Sequence, residues 1–162
     1  MRTAFVPRLA LAAALFALAG TAPASAGVGI VHAFPGWREA ASFKRISEYF
    51  TGQENTGGEI VRRTHPDQRG GYYFLLRMEN DGPAVSARVA LQVVLPGSPE
   101  AKTFTFSVTL PEKTCVLDLG LTGADWPGPK INAVAWRFEV TDESGRVLAT
   151  EKSYLWDKPA GS

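Results

Sequence analysis

One cysteine, two histidines and sixteen carboxylates are the residues on which bond-making chemistry could be built in this chain. A thiol nucleophile at Cys115 needs a neighbouring base, and His32 and His65 are the only imidazoles available. Cys115 shares its parity with Leu117, Leu119 and Leu121, which places it in a core row where a thiol is an inert small hydrophobe. His32 shares the parity of Ile30 and Phe34 and reads as a core histidine; His65 opens the loop His65-Pro66-Asp67-Gln68-Arg69-Gly70-Gly71 and reads as solvated. Two isolated imidazoles about thirty residues apart do not make a zinc motif. No G-x-S-x-G, H-E-x-x-H, C-x-x-C or phosphate-cradling glycine run occurs. Glycoside hydrolysis needs two carboxyl groups facing each other across a cleft at roughly 5–10 Å. Of Asp118, Asp125, Glu139, Asp142 and Glu143, the first and third fall on outward strand positions and the last two in a turn. No catalytic residue, metal or cofactor is expected on these grounds. A small hydrolase or thiol enzyme remains the weakest of three readings.

The four tryptophans offer a different chemistry. Trp136 falls on an inward parity and Trp156 near the C-terminal end. Trp126 sits between Asp125 and Pro127 in the loop Gly123–Pro129 and is the best placed of the four to be exposed. An exposed loop indole stacks on a sugar ring or anchors a protein partner. Trp126, Asp125 and Trp37 are therefore the candidate binding residues. The blander reading, which carries the greater weight, folds Trp126 back as a plug over the core.

The elements that must position these residues follow from alternation. Tyr72, Phe74, Leu76 and Met78 alternate with Tyr73, Leu75, Arg77 and Glu79; after Asn80-Asp81-Gly82-Pro83, a second run alternates from Ala87 to Leu95. A period of two marks strands with one buried face. Thr103 to Leu110 sets Phe104, Phe106, Val108 and Leu110 against a threonine- and serine-bearing face. Val28–Phe34, stopped by Pro35-Gly36, Glu59–Thr64, the Cys115 row, Ala133–Thr141 and Val147–Trp156 complete about eight strands. Gly145 is placed for a left-handed residue in a hairpin connection, and the mixed parity after it predicts a bulge or an edge. Residues 37–50 read as a short helix, with Trp37, Ala40, Phe43, Ile46 and Phe50 as its stripe and Gly52 as C-cap; a strand over 43–50 is the alternative. With no βαβ rhythm, the expected fold is all-β, an antiparallel two-sheet sandwich. In strand number and pattern it resembles immunoglobulin- and fibronectin-type domains, without the Cys…Trp…Cys spacing of true immunoglobulin domains.

Arg2 and Arg8, the apolar run Leu9–Gly20 and Ala24-Ser25-Ala26 read as a secretory signal peptide over residues 1–26. No arginine pair precedes the apolar run, and the cleavage point carries no cysteine for a lipid. Removing 26 of 162 residues leaves 136, expected to form one sandwich domain over 27–157 with a disordered tail at 158–162. Cleavage removes Arg2 and Arg8, taking Lys+Arg from 17 to 15 against 16 Asp+Glu. A near-neutral chain without charge blocks gives no reason to expect nucleic acid or an anionic membrane as partner. The expectation is an exported, non-catalytic binding module of the bacterial periplasm or medium, not embedded in a membrane after cleavage. Its partner would be an envelope protein or, in the alternative reading, a glycan held by the loop tryptophans.

Overall fold

The computed structural model describes residues 27–157; the segment read as a signal peptide and the tail 158–162 lie outside the described residues. Eight strands form: β1 (Val28–Arg38), β2 (Ile60–Arg63), β3 (Gly71–Asn80), β4 (Val85–Val94), β5 (Lys102–Leu110), β6 (Lys113–Thr122), β7 (Ala135–Asp142) and β8 (Val147–Lys152). They make two four-stranded sheets, ordered β1-β3-β6-β2 and β5-β4-β7-β8. The expected two-sheet sandwich is the observed fold. Leaving β2 aside, the order matches A-B-E and C′-C-F-G of immunoglobulin-type sandwiches. β2 stands where strand D would and runs parallel to β6, the one parallel pair among the described strands.

The core sits where alternation places it. Phe74, Leu76 and Met78 of β3, Val89 and Leu91 of β4, Leu117, Leu119 and Leu121 of β6, and Phe138 and Val140 of β7 are buried between the sheets. Each such side chain contributes roughly 1.5–3 kcal/mol through removal from water. Phe106 and Val108 of β5 point inward while Thr105, Ser107 and Thr109 face water. Buried Asn80 clips two turns together: its amide donates to the Pro83 and Pro111 carbonyls at 2.9 and 3.0 Å, and its Oδ1 accepts from Gly82 N at 3.0 Å. The sandwich closes along one seam by β1 lying against β8. Along the other, Arg62 of β2 donates through Nε to the Ser107 carbonyl of β5 at 3.1 Å.

Two expectations about the N-terminal part are corrected. β1 does not stop at Pro35-Gly36 but continues to Arg38, with Pro35 opposite Phe74. A proline is tolerated there because β1 is an edge strand, with no further strand to demand its missing N–H. A bulge between Ile30 and His32 shifts the register by one, so Ala33, opposite Leu76, takes the inward place. His32 and Phe34 therefore face solvent, and their rings lie 4.1 Å apart. His32 is no core histidine.

Residues 37–50 are not one helix, since Trp37 and Arg38 end β1. Beyond them come a 3₁₀ turn (Ala40–Phe43) and a short helix, α1 (Ile46–Thr51), closed by Gly52 at φ 68° as its left-handed cap. At the other end of the chain Gly145 has φ 83°, and β8 is an edge strand with a register shift opposite Val140/Thr141, as its mixed parity predicts.

Candidate functional site

The outer face of the first sheet carries a second, polar layer. Tyr73 of β3 points outward yet is only 1% exposed. Its ring lies across β6 at Gly120, its register partner, where a Cβ would fall 2.4 Å from Tyr73 Cε1. Phe43 packs on it at 4.7 Å between centroids. The guanidinium groups of Arg38 and Arg63 sit 4.1 and 4.9 Å from the Phe43 ring centre, a cation–π arrangement. Arg63 makes a two-pronged pair with Glu54 at 2.6 and 2.9 Å and donates through Nε to the Tyr73 hydroxyl at 2.7 Å. That hydroxyl donates in turn to the Arg69 carbonyl at 2.6 Å, and Arg69 pairs with Glu48 at 2.7 Å.

Electrostatics in this layer follow from those contacts. The Arg63 hydrogen bonds hold the Glu54 carboxyl below the ordinary range, and Arg69 does the same for Glu48. Burial pushes the Tyr73 hydroxyl up, against the pull of Arg63. Asp118 of β6 was expected on a wet face. It does face outward, but the overlying segment buries it completely. Arg38 donates to its Oδ2, while Oδ1 has no hydrogen-bond partner among the described residues. Burial raises the Asp118 carboxyl above its usual value, with Arg38 opposing.

This layer determines what α1 shows to solvent. Glu48 faces the protein, held by Arg69 and by the backbone N–H groups of Arg45 and Asn55, both at 3.3 Å. Ile46, Tyr49 and Phe50 occupy positions i, i+3 and i+4 and are 78%, 78% and 85% exposed. The amphipathy is inverted: charge inward, apolar stripe outward. The expectation that Ile46 and Phe50 belong to an inward stripe is overturned, because the sheet face beneath α1 is polar. Sequence alone offered one signal for this, the density of arginines and glutamates around the segment; it could not say which way α1 turns.

The residues expected to bind lie at one end of the sandwich, but not as an exposed platform. Trp126 is 5% exposed and stacks on Tyr72 at 4.0 Å with the rings 14° from parallel. Its Nε1 donates to the Gly128 and Ile131 carbonyls at 3.1 and 3.2 Å. The loop folds back because burying an indole and meeting its one donor beats leaving both wet. Trp126 is the plug, not the exposed ring. Trp37 is the register partner of Tyr72, packs partly against the core, and donates through Nε1 to Glu39 at 2.7 Å. Asp125 pairs with His65 at 3.1 Å, both side chains part-exposed. Neighbouring Thr122 is buried and fastens the end of β2, accepting from His65 N at 2.9 Å and donating to its carbonyl at 3.1 Å.

The would-be thiol site does not assemble. Cys115 lies on the inner face opposite Met78, packed partly against the core, and burial raises its thiol. His32 is on the outer face of β1, and His65 lies at the far end of β6 beside Thr122. Among the described residues no group of three or more His, Cys, Asp or Glu side chains is placed to hold a metal ion. Nor is any helix there long and apolar enough to cross a membrane.

Fold and geometry thus define a two-sheet β-sandwich with an arginine-pinned segment on one outer face. Compared with known proteins, the chain matches no family model, no curated protein and no solved structure.

Proposed function

We propose that this chain is an exported, non-catalytic binding module of the bacterial envelope or medium, and that it engages a protein partner through α1. The observation that carries the reading is the outward stripe of Ile46, Tyr49 and Phe50, held there by part-buried charge pairs beneath. Two aromatic rings of roughly 150–250 Å² each and an isoleucine make a patch at the upper end of what a monomer ordinarily exposes. That falls short of the ~800 Å² per partner of a standard interface. Such a stripe suits insertion into an apolar groove of a larger protein, as an amphipathic helix does. The charge pairs fix its direction in advance, which lowers the ordering cost of association. Export rests on the Arg2/Arg8, Leu9–Gly20 and Ala24-Ser25-Ala26 pattern.

The test is a photo-reactive phenylalanine analogue placed at Phe50 and, as control, at Thr105 on the wet face, in the producing cells. The expected outcome is a discrete cross-linked species from position 50, absent from 105 and lost when Ile46→Ser and Tyr49→Ser are added. Equal cross-linking at both positions, or none at 50, refutes the reading.

A further inference from the structure

Three of the four tryptophans are accounted for by the protein itself. Trp126 stacks on Tyr72 and has two acceptors, Trp136 packs edge-on to Phe74 at 6.0 Å, and Trp37 donates to Glu39. Trp156 is different. It is part-exposed, no ring of the described residues packs on it, and its Nε1 has no acceptor among them.

Trp156 lines a groove of about 580 Å³ together with Arg137, Thr150, Glu151, Lys152 and Asp157. Lys152 is the register partner of Arg137, and Thr150 that of Glu139, so these side chains rise from one face of the β7–β8 edge of the second sheet. The turn that carries the indole is fixed to β7: Ser153 N donates to the Trp136 carbonyl at 2.9 Å, Trp136 N donates to Ser153 Oγ at 3.0 Å, and Trp156 N donates to the Ser153 carbonyl at 3.0 Å. Arg137 pairs with Glu139 at 3.1 Å and Lys152 with Asp157, so both cations are neutralised in place.

We infer that this groove is a carbohydrate site, with Trp156 as the platform for one face of a neutral hexopyranose. The chemistry of the lining selects that class. A pyranose presents a C–H face that packs on an indole and a rim of hydroxyls that both donate and accept. The groove offers donors (Arg137, Lys152, the Trp156 Nε1–H), a carboxylate acceptor (Asp157) and a hydroxyl that does both (Thr150); Glu151, opposite buried Phe138, turns its side chain to the other face of β8. Arg137 is paired with the neighbouring Glu139 and Lys152 with Asp157, two acids against two bases, so the groove gives an anionic ligand no net attraction. Its volume lies in the range of small-ligand sites. The inference stands independently of the α1 reading, since α1 lies on the outer face of the other sheet.

The test is titration of the ¹⁵N-labelled protein with neutral di- and tetrasaccharides built from glucose, galactose and N-acetylglucosamine. A uronic-acid oligomer and a proline-rich peptide serve as comparison ligands. The expected result is a saturable shift of the Trp156 indole N–H by at least one neutral sugar, weakened at least tenfold by Trp156→Ala and only a few-fold by Trp156→Phe. Thr150→Val, which keeps volume and removes the hydroxyl, should weaken the same ligand with the fold intact. A silent Trp156 signal with every neutral sugar, a shift that survives Trp156→Ala, or preference for the uronic acid or the peptide overturns the proposal.

Discussion

Arg38, the last residue of β1, reaches across the outer face of its sheet to Asp118 of β6 and satisfies one carboxylate oxygen, while the other stays buried without a donor among the described residues. The pair sits beneath Phe43, whose ring the same guanidinium covers. Burial outweighs this attraction and raises the Asp118 carboxyl. Its folded pKa therefore lies above the unfolded value, and the protonated form is the one folding favours. The stability that Asp118 contributes is then fully present below its ordinary value of 3.8 and is lost as pH rises through the folded pKa.

Asp118→Asn keeps an acceptor for Arg38 without the charge. It should match or exceed the wild type at neutral pH. The wild type should gain on the variant as pH falls through the Asp118 folded value. Glu48 and Glu54, held low by Arg69 and Arg63, act with the opposite sign but are common to both proteins and cancel in the difference. Chemical denaturation of both proteins between about pH 3 and pH 7 reads this directly. A wild type that loses ground to the variant on acidification would mean that the Arg38 attraction dominates burial.

Trp126→Ala removes the ring stacked on Tyr72 and opens one end of the core. The expected cost is about 3–5 kcal/mol, the range for truncating a buried large aromatic. The midpoint of denaturant unfolding is the measurement. A loss under ~1 kcal/mol, typical of an exposed side chain, would place the indole in solvent after all.

Gly120→Ala tests the polar layer. The added Cβ would meet the Tyr73 ring at 2.4 Å, and that ring is itself held by Phe43, Arg63 and the Arg69 carbonyl. Overpacking of this kind costs about 1–3 kcal/mol. The penalty should shrink when Tyr73→Ala is present, because the clashing ring is gone; equilibrium unfolding of the two single variants and the double variant gives the coupling. Strictly additive effects would show that Gly120 does not accommodate Tyr73.

Cys115 should react slowly with a thiol reagent in the folded protein and readily once unfolded, because burial keeps its thiol protonated at neutral pH. Labelling of the native state should accelerate only as pH rises beyond the ordinary thiol range. Cys115→Ser should cost on the order of 1–3 kcal/mol if the hydroxyl finds no partner. Fast native labelling at neutral pH would contradict the placement beside Met78 and the leucine row.

What the sequence determined by itself was whatever rests on local pattern. Alternation is written residue by residue, so the strands, the inward rows of β3 to β7, and the left-handed glycines Gly52 and Gly145 could be read directly. The tertiary structure decided everything that depends on a partner distant in the chain. One bulge in β1 turned His32 and Phe34 outward, since a single-residue slip exchanges the two faces of a strand. Tyr72 made Trp126 a plug, and the segment pinned by Arg38, Arg63 and Arg69 buried Asp118 and turned Ile46, Tyr49 and Phe50 to water. The parallel placement of β2 beside β6 left no local trace either, because pairing is chosen by what lies across the sheet. The same holds for the groove at Trp156: its lining comes from β7, β8 and the turn beyond, and only their register makes neighbours of Arg137 and Lys152.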